Sequence, residues 1–337
     1  MRMDERKFRI LQAIIDDYIL TAVPVGSRTI SKKYEMGLSS ATIRNEMSDL
    51  EDLGYLAQPH VSAGRIPSAK AYRLYVDQLL KSGQIRSADP AALKAHFEGR
   101  LRKMEDVVDH AAQVLSSLTH YTAVVTPPKG REPRIRNLQL VPVSGSSALV
   151  VIVTDGGVVK DAVIRVDETL DDDALYAISR MLTEKLTGLT FAEASRLLAG
   201  PFESTGQQAL LKGIAEMTAQ AESPAIAVGG TSNIFNYPEY SDMEKARAFL
   251  TLLETRDKLA QLVESGGGQM AFTVRIGPET GVPEMRDCSI VTATYVTGSH
   301  QTGTIGVIGP TRMQYSRVLS ILSTLGRQLT ELLGSEE

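Results

Sequence analysis

The chain has 337 residues, 43% hydrophobic and 23% charged, with a net charge of −4 and one cysteine, Cys288. That size and a mean hydropathy of −0.07 suit a globular protein of two or three domains with ample core. The lone cysteine excludes an internal disulfide and any CxxC metal site, no apolar run of 18 residues exists to span a membrane, and the charged start MRMDERKFR lacks a signal core, so a cytoplasmic protein is expected.

The first predicted helix runs from Asp4 to Leu20, with Phe8, Leu11, Ile15 and Tyr18 spaced three, four and three as its core stripe. It ends at Val23-Pro24-Val25, because a proline disfavours helical dihedrals at the residue before it. Ser27 is placed to cap a second helix through Ile30 to Tyr34. Met36-Gly37 forms the turn, Gly37 supplying a positive φ. Ser39 or Ser40 caps a third helix that runs to Leu53 and stops at Gly54, with Ile43, Met47 and Leu50 on one buried face. Tyr55-Leu56 then begins a strand, His60 to Gly64 is a turn, and Arg65-Ile66 begins the return strand.

This order is a winged helix-turn-helix, which commonly sets its recognition helix into the major groove of DNA. Ser40, Thr42, Arg44 and Asn45 lie near the front of the third helix, off its apolar stripe, where bases are read. Arginine bridges two acceptors on guanine, and asparagine pairs with adenine. Arg28, Lys32 and Lys33 suit phosphate contacts, which position without specifying. His60 and Arg65 belong to the wing, with Arg65 expected at its tip, in reach of a minor groove or a phosphate. Eleven Lys/Arg against ten Asp/Glu leave residues 1–80 at only +1, so binding must rely on placement, and phosphate contacts imply affinity that falls with salt. The same geometry also occurs in domains that bind only protein.

Residues 81–90 read as a linker. A long helix follows from about Ala91 to His120, where Phe97, Leu101, Met104, Val108, Ala111, Leu115 and Leu118 keep a heptad spacing; it is either a signalling or dimer helix or a helix laid on its own domain. Strands rich in β-branched residues run from Thr122 through TAVVT, IRNLQLVPV, SALVVIVT and GVVKDAVIRV, the last two joined by a hairpin turn at Asp155-Gly156-Gly157. A helical block spans about 168–264; Asp171-Asp172-Asp173 opens its first helix and Leu175, Ile178, Leu182 and Leu186 stripe it. Strands resume at MAFTVRI, DCSIVTATYV and TGTIGVIG, and a helix from Met313 to Leu333 closes the chain. The expected class is α+β, with one antiparallel sheet built from 122–166 and 270–308, helices 91–120 and 313–333 packed on it, and the block 168–264 protruding as an insertion.

No catalytic constellation emerges, and no cofactor or metal is expected. The histidines at 60, 96, 110, 120 and 300 lack ligand spacing. Gly303, Gly306 and Gly309 sit in a strand with no helix directly after them, unlike a phosphate-binding fingerprint. Gly266-Gly267-Gly268 is a flexible joint, and Ser144-Gly145-Ser146 lacks the order of a nucleophile elbow. Tyr295 and Tyr315 either line a small-molecule pocket or fill it as core.

Three runs, MDERKFRILQAIIDDYILTAVPVGSRTISKKY, SSATIRNEMSDLEDLGYL and HVSAGRIPSAKAYRLYVD, closely resemble the bacterial heat-inducible transcription repressor family, HrcA. The resemblance continues through Asn233–Tyr240 and Ile308–Val318 and so covers nearly the whole chain. It implies a homodimeric repressor of chaperone operons that binds the inverted repeat CIRCE and whose activity the GroE chaperonin maintains. It also implies a GAF-like domain with an inserted dimerisation domain, so that the organisation read from the residues becomes a winged helix-turn-helix at 1–80, a linker at 81–90, a GAF-like domain at 91–167 and 265–337, and an inserted dimerisation domain at 168–264. Individual base contacts are not fixed by the resemblance; those residues rest on helix position.

Overall fold

The structure is a computed structural model that describes residues 3–34, 36–82, 93, 96–97, 104–129, 133–155, 159–167, 170–199, 208–220, 226–263, 271–297 and 301–334. The chain divides into two compact units, Met1–Pro128 together with Ala225–Glu337, and Lys129–Pro224. It is an α+β protein whose sheets are built on antiparallel pairs. Among the described residues no helix is long and apolar enough to cross a membrane.

The first unit opens with α1 (Glu5–Thr21), α2 (Ser27–Lys33) and α3 (Ser40–Asp52), then a short ribbon of β1 (Leu56–Ala57) and β2 (Ile66–Pro67), then α4 (Ala69–Ser82). Ile10, Leu11, Ile14 and Ile15 of α1 meet Ile30, Ile43, Met47, Leu50 and Leu56 in the core. The core stripe of α1 therefore includes Ile10 and Ile14, and Phe8 and Tyr18 are only half-buried at its margin. Asp4 caps α1, its carboxylate accepting from the Lys7 amide at 2.8 Å. Ser27 does not cap α2: it is the first helical residue, and Gly26 occupies the cap without a side-chain bond.

Helix α5 (Met104–Thr119) and strand β3 (Thr122–Lys129) lead into the rest of this unit. After the second unit come β7 (Ala227–Gly229), two short 3-10 turns (Thr231–Asn236 and Pro238–Tyr240), α9 (Met243–Glu254), α10 (Arg256–Val263), β8 (Phe272–Ile276), β9 (Cys288–Val296), β10 (Thr302–Pro310) and α11 (Tyr315–Gly334). The sheet has the order β7-β3-β10-β9-β8. Its centre is a nine-residue antiparallel pairing of β9 and β10, from Thr302 opposite Val296 to Pro310 opposite Cys288. Side chains alternate across a strand. Accordingly Val291, Ala293 and Tyr295 face a core shared with α5 and α11, whereas Cys288 and Ile290 face a second core with Phe249 and Leu259. The sheet is covered on both faces, and α9 and α10 form one of the covers. Val108, Ala111 and Leu115 of the heptad stripe belong to the core of their own unit; Leu101 lies outside the described residues. The triple-glycine spacing in β10 is steric: a Cβ at Gly303 would stand 2.3 Å from the Tyr295 ring, and one at Gly309 2.5 Å from the Tyr121 ring.

The second unit is a separate three-stranded sheet, β4 (Ile135–Ser144), β5 (Ser147–Thr154) and β6 (Val159–Arg165), backed by α6 (Asp172–Leu186), α7 (Phe191–Leu198) and α8 (Gln208–Gln220). Asp171 caps α6, and the predicted stripe Leu175, Ile178, Leu182 and Leu186 is buried against Leu138, Leu140, Val150 and Ile152. Thr190 and Glu193 form a reciprocal capping box on α7.

The single sheet expected from 122–166 and 270–308 is therefore two sheets. β4 to β6 bury one face only, β5 alternating regularly along its length, while nearly every residue of β9 is buried. A one-faced sheet closes its own core with three helices; a two-faced sheet needs helices on either side. The chain passes from the first unit to the second between 128 and 129 and back between 224 and 225. Of the expected linker at 81–90, Lys81 and Ser82 are the end of α4 and 83–90 lie outside the described residues, as do Gly156 and Gly157 of the expected hairpin turn and the glycine joint at 266–268.

Candidate nucleic-acid interface

Helix α3 begins at Ser40 because Ser39 caps it: the Ser39 Oγ accepts from the Thr42 amide at 3.1 Å and lies 2.9 Å from the Thr42 hydroxyl. Gly37 turns the chain between α2 and α3 at φ +66°, where an L side chain is strained. The buried edge of α3 is Ile43, Glu46, Met47 and Leu50. Its opposite edge is exposed at Ala41, Arg44, Asn45 and Ser48, a stripe at helical spacing, with Ser40 and Thr42 half-buried beside the cap. Arg44 and Asn45 are thus presented together. Ser48 was missed from sequence, although its spacing of four from Arg44 and three from Asn45 places it on their face.

The back of α3 is held by charge. The Lys7 ammonium of α1 lies 2.9 Å from Glu46 and 3.1 Å from Asp49, and Arg6 also bonds Glu46. These hydrogen bonds raise the Lys7 pKa above the ordinary lysine value. A buried carboxylate such as Glu46 is stable only when paired, so the network fixes α3 against α1 from behind. Two acids of α3 are thereby neutralised away from its exposed edge.

The nine residues singled out in the sequence do not share one fate. Arg28, Lys32 and Arg44 are exposed and make no ion pair among the described residues, and Asn45 is also exposed. Lys33 instead bonds buried Asp17, which raises its pKa, so it acts as a structural counter-ion. Arg65 is not at the tip of the ribbon. Its backbone forms an isolated bridge to Val25, with two hydrogen bonds of 2.9 Å, and its guanidinium lies 2.8 Å from Glu51 at the end of α3. The tip is His60, Val61 and Ser62, all exposed, shaped by the Gln58 amide donating to the carbonyls of Val61 and Ala63. The sequence offered no sign of the Val25 bridge except Gly64: a Cβ there would lie 2.4 Å from the Val25 carbonyl oxygen.

Elsewhere the residues weighed for other chemistry are absorbed by packing. Tyr295 and Tyr315 are core, their hydroxyls donating to the carbonyls of Thr126 (2.8 Å) and Thr311 (2.7 Å). Cys288 is buried beside the Tyr240 hydroxyl, and burial pushes its thiol up to about 11. The His110 ring nitrogen lies 2.6 Å from the His96 carbonyl oxygen.

Residues 105–319 match the family model described as the HrcA protein C terminal domain. A heat-inducible transcription repressor HrcA from Acetivibrio thermocellus is 40% identical over 339 residues, covering 98% of this chain and 96% of that protein. The chain belongs to the HrcA family. A second member, the heat-inducible transcription repressor HrcA of Clostridium tetani, is 45% identical over 348 residues, covering 99% of this chain and 96% of its own. A solved structure of a hypothetical protein at 2.2 Å resolution aligns over 100% of both chains with a TM-score of 0.67 at 27% identity. HrcA is a family of transcription repressors, which is not an enzyme class.

Proposed function

We propose that this HrcA chain represses transcription by binding an inverted-repeat operator as a homodimer, each copy presenting a winged helix-turn-helix. α2 and α3 are the helix pair, the β1–β2 ribbon is the wing, and the exposed edge of α3 enters the major groove. The observation that carries this reading is the joint exposure of Arg44 and Asn45 at the front of a helix whose back is clamped to α1 by Lys7. Arg44 and Asn45 read bases, with Ser48 beside them; Ser40 and Thr42 lie where a helix N-terminus meets a phosphate. Arg28 and Lys32 contact the backbone, and His60 reaches it from the wing tip. Lys33 and Arg65 hold the module together. The sheet of 122–128 and 272–310 is the GAF-like part, and residues 129–224 are the dimerising insertion. Two-fold protein symmetry matches the two-fold operator.

The operator class and the chaperonin partner rest on the family. Heat acts through stability: a marginally stable repressor loses its folded fraction steeply, and a chaperonin that refolds it couples repression to spare chaperone capacity. A gel shift on a symmetric duplex, repeated after heating with and without chaperonin, tests both parts. The reading expects retardation that weakens with salt and recovers faster with chaperonin. No shift on the symmetric duplex at low salt overturns the first part, and equal recovery overturns the second.

A further inference from the structure

Two sequence segments that the DNA-reading surface does not use, Asn233–Tyr240 and Ile308–Val318, meet around one guanidinium. Arg312 is buried. Its Nε and Nη2 donate to the two carboxylate oxygens of Glu239, the second at 3.1 Å. Its Nη1 donates to the Ile19 carbonyl at 3.0 Å, and the Tyr237 ring lies beneath it at 5.5 Å. Ile19 is in the last turn of α1, where carbonyls have no helical partner and the helix dipole favours a cation. A second arginine reaches the opposite way. Arg73 of α4, steadied by Asp77 at 3.0 Å, donates from Nη1 to the Val274 carbonyl of edge strand β8 at 2.8 Å and to Glu279 at 3.2 Å. The rings of Tyr72, next to Arg73 on α4, and Tyr315, three residues after Arg312, lie 6.0 Å apart.

We propose that Arg312 and Arg73 are positioning residues that lock α1 and α4, and with them the reading edge of α3, onto the β8–β10 sheet at one fixed angle. A forked arginine–carboxylate pair is directional, and a buried charge without its partner is costly, so the contact is made whole or not at all. This inference rests on the proposed repressor reading. Its consequence is selectivity for half-site spacing: with the module locked, a hinge between α4 and the sheet no longer adds freedom to the separation of the two reading helices in the dimer.

The test measures affinity for a single half-site, for the natural inverted repeat, and for a repeat lengthened by about five base pairs, half a helical turn. Wild type should lose about tenfold or more on the lengthened site. Arg312→Met and Arg73→Met should bind the half-site as wild type does but lose less than about threefold on lengthening. Glu239→Gln, at a partly exposed position, serves if Arg312→Met does not fold. Variants that keep the full wild-type spacing penalty overturn the lock. Failure of wild type itself on every duplex overturns the DNA-binding reading and the lock with it. Hydrogen exchange of the free protein gives a readout without DNA: faster exchange in residues 17–22 and 70–76 of the variants is expected, and unchanged exchange there overturns the lock.

Discussion

Arg44 and Lys32 carry the same charge and differ in what surrounds them. Arg44 stands on the exposed edge of α3 beside Asn45, and Lys32 near the end of α2. Arg44→Ala should therefore cost about 1–3 kcal/mol of operator binding and relax preference at one base pair, read by titrating single-base operator variants. Lys32→Ala should weaken binding to all sequences alike and lower the slope of log affinity against log salt by about one. Lys33→Ala should act differently from its neighbour. It strips buried Asp17 of its counter-ion, so the loss appears in the denaturation midpoint more than in the salt slope. Sequence position made these two lysines look equivalent. Their separation depends on Asp17, sixteen residues earlier, which only the packing of α1 against α2 brings near.

Among the elements, the helices were the more legible, because helical periodicity is local. The stripes of α3 and α6, the turn at Gly37 and the acidic start of α6 all follow from residues a few positions apart. Strand partners were less legible, because alternation marks a strand without naming its neighbour. The distinction was nonetheless written in charge. Strands β4 and β6 interleave charged residues, as in IRNLQL and VKDAVIR, whereas SIVTATYV and TIGVIG carry none, as sheets with one and two covered faces require. The ribbon offers a sharper test at this scale. Gly64→Ala forces a methyl to within 2.4 Å of the Val25 carbonyl and must break the bridge that seats Arg65. It should destabilise the protein by about 1–3 kcal/mol in chemical denaturation. Stability equal to wild type would mean that the ribbon is not anchored at Val25.

At the scale of the whole molecule, the chain leaves its first unit at 128 and returns to it at 225. The proposed dimerising segment is then 129–224, and residues 226–263 cover one face of the five-stranded sheet instead of protruding. Replacing 129–224 by a short flexible linker should yield a folded monomer in light scattering, with affinity falling to that of a single half-site. A dimer that survives the deletion moves the interface to another surface. The measurement that bears most directly on the central claim is a hydroxyl-radical footprint of the purified protein on an inverted-repeat operator, at low and physiological salt, beside Arg44→Ala with Asn45→Ala. Two symmetric patches of protection, retained at physiological salt and lost in the double variant, are the predicted result. Uniform protection at any sequence, or a wild-type footprint in the double variant, would contradict it.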